Sequence, residues 1–158
     1  MKNKNQKGIT LMEVVIGASI VVLIFSGIVS VFNFYLRMSI NTTDNVKAEI
    51  LAEEGLEALR IIRDGGFSSL SNLSKNADYY LEFNGNTYLS TTTEELIDNT
   101  FYRKFRLYEV YRDGNLNIAP NGTLDADIVK ASIFVSWYEN DATTTRELST
   151  YFANIFEI

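Results

Sequence analysis

The residues most able to do chemistry near the amino terminus are one acid and a group of cations. Lys2, Lys4 and Lys7 lie within the first seven positions, and Glu13 is the first acid. Glu13 directly precedes residues 14–36, a run without a formal charge. A charged side chain costs about 2.5–3.5 kcal/mol at the centre of a membrane helix and less near the interface. A plain membrane anchor has no use for this acid, so Glu13 is a candidate functional residue.

Composition argues against an enzyme. The chain has no cysteine and no histidine, which excludes disulfides, thiolate nucleophiles, Ser-His-Asp and Cys-His catalysis, and His-ligated zinc. The formal net charge of -6 disfavours nucleic acid as a partner. We therefore expect a chain that is not an enzyme and has no cofactor.

Two further sets of side chains could bind a ligand. Asp125 and Asp127, with Asn121 upstream, offer the oxygen ligands that calcium prefers, although a solvated loop without a metal is the favoured interpretation. Tyrosines among cations in residues 102–112 could stack on nucleic acid, although cross-strand packing is favoured there. That second set is Tyr102, Arg103, Lys104, Arg106, Tyr108, Tyr111 and Arg112.

The apolar run predicts a membrane helix. Residues 14–36 would rise about 35 Å as an α-helix, enough to cross a ~30 Å hydrocarbon core. The basic start and the acidic remainder predict a cytoplasmic amino terminus and an external carboxy-terminal part. A secretory signal peptide would have a shorter apolar region and a small-x-small cleavage site, and no Ala-x-Ala follows this run. An uncleaved signal anchor remains an alternative.

The helical pattern continues past Arg37. Apolar residues recur at i, i+4 and i+3 spacing, which predicts an amphipathic half over residues 37–64 that packs on the protein's own sheet. This stripe is Ala48, Ala52, Leu56, Leu59 and Ile62. Asn41-Thr42-Thr43 is the weakest helical stretch by propensity, and Gly65-Gly66 ends the helix.

Residues 65–158 predict a β-rich head. Strands are predicted at 79–83 and 87–90 around a turn, at 101–112, at 127–138 and at 144–152, with a polar connection at 91–100 and a loop at 119–125. Val129, Ala131, Ile133, Val135 and Trp137 share one face of their strand, opposite Lys130, Ser132 and Ser136. The expected fold class is α+β, with a long N-terminal helix packed on an antiparallel β-sheet.

One motif resembles a known processing site. Lys7-Gly8-Ile9-Thr10-Leu11-Met12-Glu13, followed at once by the apolar run, resembles the type IV prepilin cleavage site. In that family a short basic leader ends in Gly, a membrane-embedded peptidase cuts after it, and a Glu stands fifth in the mature chain. The resemblance implies a leader over residues 1–8, cleavage between Gly8 and Ile9, and N-methylation at Ile9. Ile9 replaces the Phe that is common in the family.

The resemblance to type IV pilins also implies a role for Glu13. Cleavage would create a cationic amine at Ile9, and Glu13 could meet the Ile9 amine of a neighbouring subunit. Pairing of opposite charges is stronger in a medium of low dielectric than in water. A misregistered subunit would leave both charges buried and unpaired, so the pair would enforce subunit register.

The resemblance implies a filament subunit with a pilin fold. Residues 9–36 would form the transmembrane and filament-core helix, 37–64 the amphipathic helix and 65–158 the head. The implied partners are a prepilin peptidase/N-methyltransferase, other pilin subunits, an inner-membrane assembly platform and, before assembly, the membrane. The chain would begin as a single-pass protein of the cytoplasmic membrane, with its amino terminus in the cytoplasm and its head outside. It would end in a cell-surface or periplasmic filament.

The motif leaves two questions open. It is shared by major pilins, minor pilins, secretion pseudopilins and competence pilins, so it does not distinguish among them. The second question is whether the chain is processed and assembled as the resemblance implies. The alternative hypothesis is an extracytoplasmic binding module on a signal anchor that is neither cleaved nor polymerised.

Overall fold

The computed structural model describes residues 10–139 and 141–155. The chain divides into two units, with the boundary between Thr43 and Asp44. One α-helix, α1 (Leu11–Asp64), crosses this boundary and is continuous through the weak stretch at residues 41–43. The hydroxyls of Thr42 and Thr43 donate to the carbonyl oxygens of Met38 and Ser39, at 2.8 and 2.9 Å, so both are satisfied within the helix.

Local sequence explains both ends of α1. At the start, the main-chain N–H of Glu13 donates to the carbonyl oxygen and to the hydroxyl of Thr10, at 3.0 and 3.3 Å, as at a helix N-cap. At the end, Gly65 and Gly66 donate to the carbonyl oxygens of Ile61 and Arg63. Gly66 has a φ of +143°, which L side chains rarely adopt, so the helix stops at the predicted glycines.

The remainder of the second unit is mainly antiparallel sheet. After the short helix α2 (Ser68–Ser71), a two-stranded sheet pairs β1 with β2. The larger sheet has the order β3-β4-β6-β7, and β5 pairs with β4. The strands are β1 (Tyr80–Phe83), β2 (Tyr88–Thr91), β3 (Leu96–Ile97), β4 (Phe101–Arg112), β5 (Ile118–Ala119), β6 (Thr123–Glu139) and β7 (Ala142–Ala153). The predicted α+β class, with the helix packed on an antiparallel sheet, is confirmed.

The core lies between one face of α1 and one face of the larger sheet. Four members of the predicted helix stripe are buried, and Leu56 packs partly buried against the same core. All five residues predicted on the inner face of β6 are buried as well. Ala58, Phe105, Leu107, Leu70 and Phe152 complete much of the same cluster.

Contacts along α1 show its direction on the sheet. The main-chain carbonyl oxygen of Leu51 accepts a hydrogen bond from Arg103 of β4. Twelve residues later, the guanidinium of Arg63 lies over the ring of Phe152, 5.5 Å from its centroid. Phe152 pairs with Val129 of β6, which in turn pairs with Glu109 of β4. The head part of α1 therefore runs in the direction of β4, and the sheet extends past the C-terminal end of the helix.

Two local predictions differ from the structure, and the burial of one serine was not predicted. The connection over residues 91–100 contains β3, which pairs with the first two residues of β4. β6 begins at Thr123, so Asp125 lies in a strand rather than in the predicted loop; a register shift between Glu109 and Val110 accommodates this extension. Ser132, on the face opposite the core, is fully buried, with its hydroxyl oxygen 2.7 Å from that of Ser149.

Candidate functional site

The N-terminal half of α1 is the first candidate functional region. One helix in the described part of the chain, α1, is long and apolar enough to cross a membrane. The large apolar side chains of this N-terminal half are exposed, as illustrated by Leu23 at 72% and Phe25 at 67%. A continuous exposed apolar surface on this scale marks contact with lipid or with other protein.

The serines within this apolar stretch need no outside partner. The hydroxyls of Ser19, Ser26 and Ser30 donate to main-chain carbonyl oxygens four residues earlier, at 2.7, 2.8 and 2.9 Å. Because hydrocarbon offers no hydrogen bonds, polar groups within a membrane helix must be satisfied by the protein. These three side chains are therefore compatible with a lipid environment.

Glu13 lies in the first turn of α1, directly before the apolar stretch. A negative charge at this position interacts favourably with the positive end of the helix dipole. The predicted cleavage site, Gly8 and Ile9, lies outside the described residues. The structure therefore describes Glu13 and the helix that contains it.

Asp125 and Asp127, the candidate calcium ligands, are partly used within the fold. The two oxygens of the Asp125 carboxylate accept from Nε of Arg112, at 2.5 Å, and from the main-chain N–H of Asp127, at 3.1 Å. The Arg112 guanidinium lowers the pKa of Asp125 below its usual value. Within residues 10–139 and 141–155, no group of three or more acidic side chains is placed to hold a metal ion.

The structure divides the aromatic and basic set between different surfaces. Arg103 lies on the core side of β4 and is only 8% exposed. Lys104 and Arg106 both pair with Asp78. The guanidinium of Arg106 also lies over the ring of Phe134, 5.7 Å from its centroid. Arg112 pairs with Asp125 and Arg103 with Glu54, so each of the four cations in this set has an acidic partner within the head.

Asp78 is an acid that the sequence did not single out. It accepts from Lys104 Nζ at 2.8 Å and from two nitrogens of Arg106. Hydrogen bonding to Arg106, and then to Lys104, lowers the pKa of Asp78 to about 2. Sequence reasoning missed this contact because the partners are 26 and 28 residues away.

The close approach at Gly55 and the position of Arg103 on the core side also escaped the sequence reasoning, although each had a signal. Arg103 alternates with Phe101, Phe105 and Leu107, a spacing that places all four on one face of a strand. Gly55 interrupts an otherwise good helical pattern, which often marks a close approach. A Cβ on Gly55 would lie 3.2 Å from Cδ of Arg103. The two residues therefore meet where the helix crosses the sheet.

No family model, no curated protein sequence and no solved structure matches this chain.

Proposed function

We propose that this chain is a structural subunit of a type IV pilus or of a pilus-like filament, such as a pseudopilus or competence filament. A prepilin peptidase would cut between Gly8 and Ile9, and the subunit would assemble through the N-terminal half of α1. The observation that carries the proposal is the position of Glu13, one acid in the first turn of a helix that is otherwise apolar enough to cross a membrane.

Electrostatics give Glu13 a role in assembly. Cleavage after Gly8 would place a cationic amine at Ile9, four residues before Glu13. Inside a filament core, a carboxylate without a cationic partner is strongly destabilising. A subunit whose Glu13 meets the Ile9 amine of its neighbour satisfies both charges, and one displaced along the filament satisfies neither.

The shape of α1 supports the same proposal. Its N-terminal half exposes apolar side chains on all sides, whereas its C-terminal half buries one stripe against the sheet. A helix that is apolar all round belongs in a membrane or in the core of an assembly. One helix thus combines an element suited to a filament core with an element that carries the head.

Location and partners follow from this function. The three N-terminal lysines would hold the amino terminus in the cytoplasm while the head lies outside the cytoplasmic membrane. The subunit would then be processed by the peptidase, which also methylates Ile9, and passed by an inner-membrane assembly platform into a filament at the cell surface or in the periplasm. The membrane location is temporary in this scheme.

The assembly role is tested by Glu13→Gln in the natural host, with filaments collected by shearing and pelleting. We expect filament recovery to fall at least tenfold while the membrane pool of the subunit is retained. Glu82→Gln, an exposed acid on β1, is the matched control and should leave recovery unchanged. Recovery of Glu13→Gln filaments at the wild-type level would contradict the proposed role.

The alternative, a binding module on an uncleaved anchor, makes a different prediction. It needs the same membrane helix, but it requires neither cleavage after Gly8 nor contact between helices. Such a chain would retain Met1 and would be absent from the sheared fraction.

A further inference from the structure

Leu116 has a backbone conformation that leucine rarely adopts. It lies in the loop between β4 and β5 and has a φ of +65°, in the left-handed region that L side chains other than Asn and Asp seldom enter. The other non-glycine residues with positive φ in the described part of the chain are all of those two types: Asn76, Asp98, Asn99 and Asp141. Leucine at position 116 therefore destabilises the loop relative to asparagine.

The side chain of Leu116 is also highly exposed. Among residues 44–139 and 141–155, it is the most exposed large apolar side chain, at 73%. Two more exposed apolar residues lie at the same end of the sheet, since Ile118 pairs with Arg112 and Leu124 pairs with Tyr111. Burial in the head thus contributes little at Leu116, and an exposed apolar cluster marks a contact with another molecule.

Hydrogen bonds hold the loop in this conformation. One carboxylate oxygen of Asp113 accepts from the main-chain N–H groups of Asn115 and Asn117, at 2.8 and 2.9 Å. The main-chain N–H of Leu116 donates to the carbonyl oxygen of Asp113 at 3.0 Å, and the carbonyl oxygen of Leu116 accepts from Nη1 of Arg112 at 2.6 Å. A strained backbone persists where its surroundings over-determine it, and such strain is concentrated at binding elements. The loop therefore presents Leu116 in a fixed position.

A second exposed apolar surface lies at the opposite end of the head. Val46 and Ile50 are one helical turn apart on α1, and each is about half exposed. The neighbouring Asn45 accepts from Arg146 of β7, which the pairings across β6 place level with the third residue of β4. The loop that carries Leu116 follows the last residue of β4. The two surfaces are therefore separated by about 30 Å along the sheet.

We propose that Leu116 anchors a contact between the heads of two copies of this chain, in which it packs against Val46 and Ile50 of the next copy. A contact between different surfaces of identical subunits is heterologous, and it can repeat from copy to copy to give an open filament. It covers both exposed apolar surfaces, whereas an isologous contact through Leu116 leaves Val46 and Ile50 in water. The inference rests on the proposed function, which brings copies of the chain together through α1.

The first test measures the stability of the head and needs no filament. Leu116→Asn introduces a residue that tolerates positive φ, and little burial is lost because the leucine is already exposed. We expect the melting temperature of the full-length chain in detergent micelles to rise by about 4 °C. Leu89→Asn, at an exposed leucine of β2 without a positive φ, is the matched control and should not raise it. An unchanged or lower value in Leu116→Asn would overturn the proposal.

The second test identifies the partner by cross-linking, since the chain has no cysteine of its own. Asn115→Cys places a thiol next to Leu116, and Lys47→Cys places one next to Val46, both at exposed positions. A short bismaleimide is added to intact cells of the natural host. The double variant should form a ladder of multimers at least tenfold above each single variant, because a heterologous contact joins different positions of successive copies.

Leu116→Asn, added to the double-cysteine chain, distinguishes an anchor from simple proximity. It should reduce the ladder at least tenfold although the head is more stable, and Leu89→Asn should leave the ladder unchanged. A ladder that survives Leu116→Asn, or a double variant no more cross-linked than the single variants, would overturn the proposal. A dimer from Asn115→Cys alone would show an isologous contact, and a product that contains a different protein would show another partner. Either of these results would overturn it as well.

The outcome is separable from that of the proposed function. Sheared filaments of the double variant without the ladder would reject this contact and leave the filament function in place. A ladder in the membrane fraction of a chain that retains Met1 would support the contact and contradict the function.

Discussion

The hydroxyl oxygens of Ser132 and Ser149 lie 2.7 Å apart across the β6–β7 pair, although only Ser132 is fully buried. The two residues lie opposite each other in the antiparallel register. Ser149 is exposed and also donates to Oε1 of Glu147 at 3.1 Å. Removing the Ser149 hydroxyl would therefore leave the buried Ser132 hydroxyl without this side-chain partner, whereas removing the Ser132 hydroxyl would leave Ser149 its hydrogen bond to Glu147.

We expect the two alanine substitutions to have unequal effects. Ser149→Ala leaves the buried Ser132 hydroxyl without its side-chain partner and should lower the free energy of unfolding by about 1–3 kcal/mol. Ser132→Ala leaves an exposed hydroxyl that keeps Glu147 and should cost less. Thermal or denaturant unfolding of each variant measures the difference, and equal losses would contradict this interpretation.

Asp78 should make the head sensitive to acid. Its pKa is lowered from 3.8 to about 2 in the folded state by Arg106 and Lys104. The stabilisation is therefore complete above pH 3.8 and is lost as the pH falls toward 2, and it amounts to about 1 kcal/mol after solvent screening. Asp78→Asn should lose less stability than the parent between pH 5 and pH 2.

The control for this pH experiment is Glu82→Gln, an exposed acid on β1. Its melting temperature should fall with pH as that of the parent does. If Asp78→Asn and the parent lose the same stability on acidification, Asp78 is not the group responsible.

Gly55→Ala should destabilise the head although alanine is the better helix former. Alanine would gain about 1 kcal/mol in helix propensity. The new Cβ would press on Arg103 Cδ and on two carbons of Ile133, at 3.2–3.3 Å, and such overpacking costs about 1–3 kcal/mol. We expect a net loss of about 1 kcal/mol in the free energy of unfolding.

Gly27→Ala is the matched control, since a Cβ at Gly27 meets nothing within 4 Å. It should leave the unfolding of the head unchanged. A head that is stabilised by Gly55→Ala would show that Arg103 and Ile133 can move away, and would contradict the close packing of these two side chains against Gly55.

Periodicity explains which parts of the fold could be predicted from the sequence. The inner face of β6 follows from alternation, the strand at residues 101–112 from its content of Phe, Tyr and Val, and the end of α1 from Gly65 and Gly66. β3 has only two residues, too few for a periodic signal. The start of β6 was missed because its pairing depends on a register shift at Glu109, which local patterns do not predict.

The polar contacts of the head were harder to predict for a different reason. Arg103 reaches Leu51 across 52 residues of sequence, and Arg146 reaches Asn45 across 101. Such partners become neighbours only after the helix has packed on the sheet. By contrast, Glu13 and its apolar helix are a local pattern, so the candidate functional region could be recognised from sequence while its cleavage site remains a prediction.

The central claim is that the chain is processed as a prepilin, and the most direct test is its amino terminus. The protein is purified from the membranes of cells with an active prepilin peptidase, and its intact mass and N-terminal sequence are determined. The account predicts a chain that begins at Ile9, with or without an added methyl group. A chain that still begins at Met1 in those cells would contradict it.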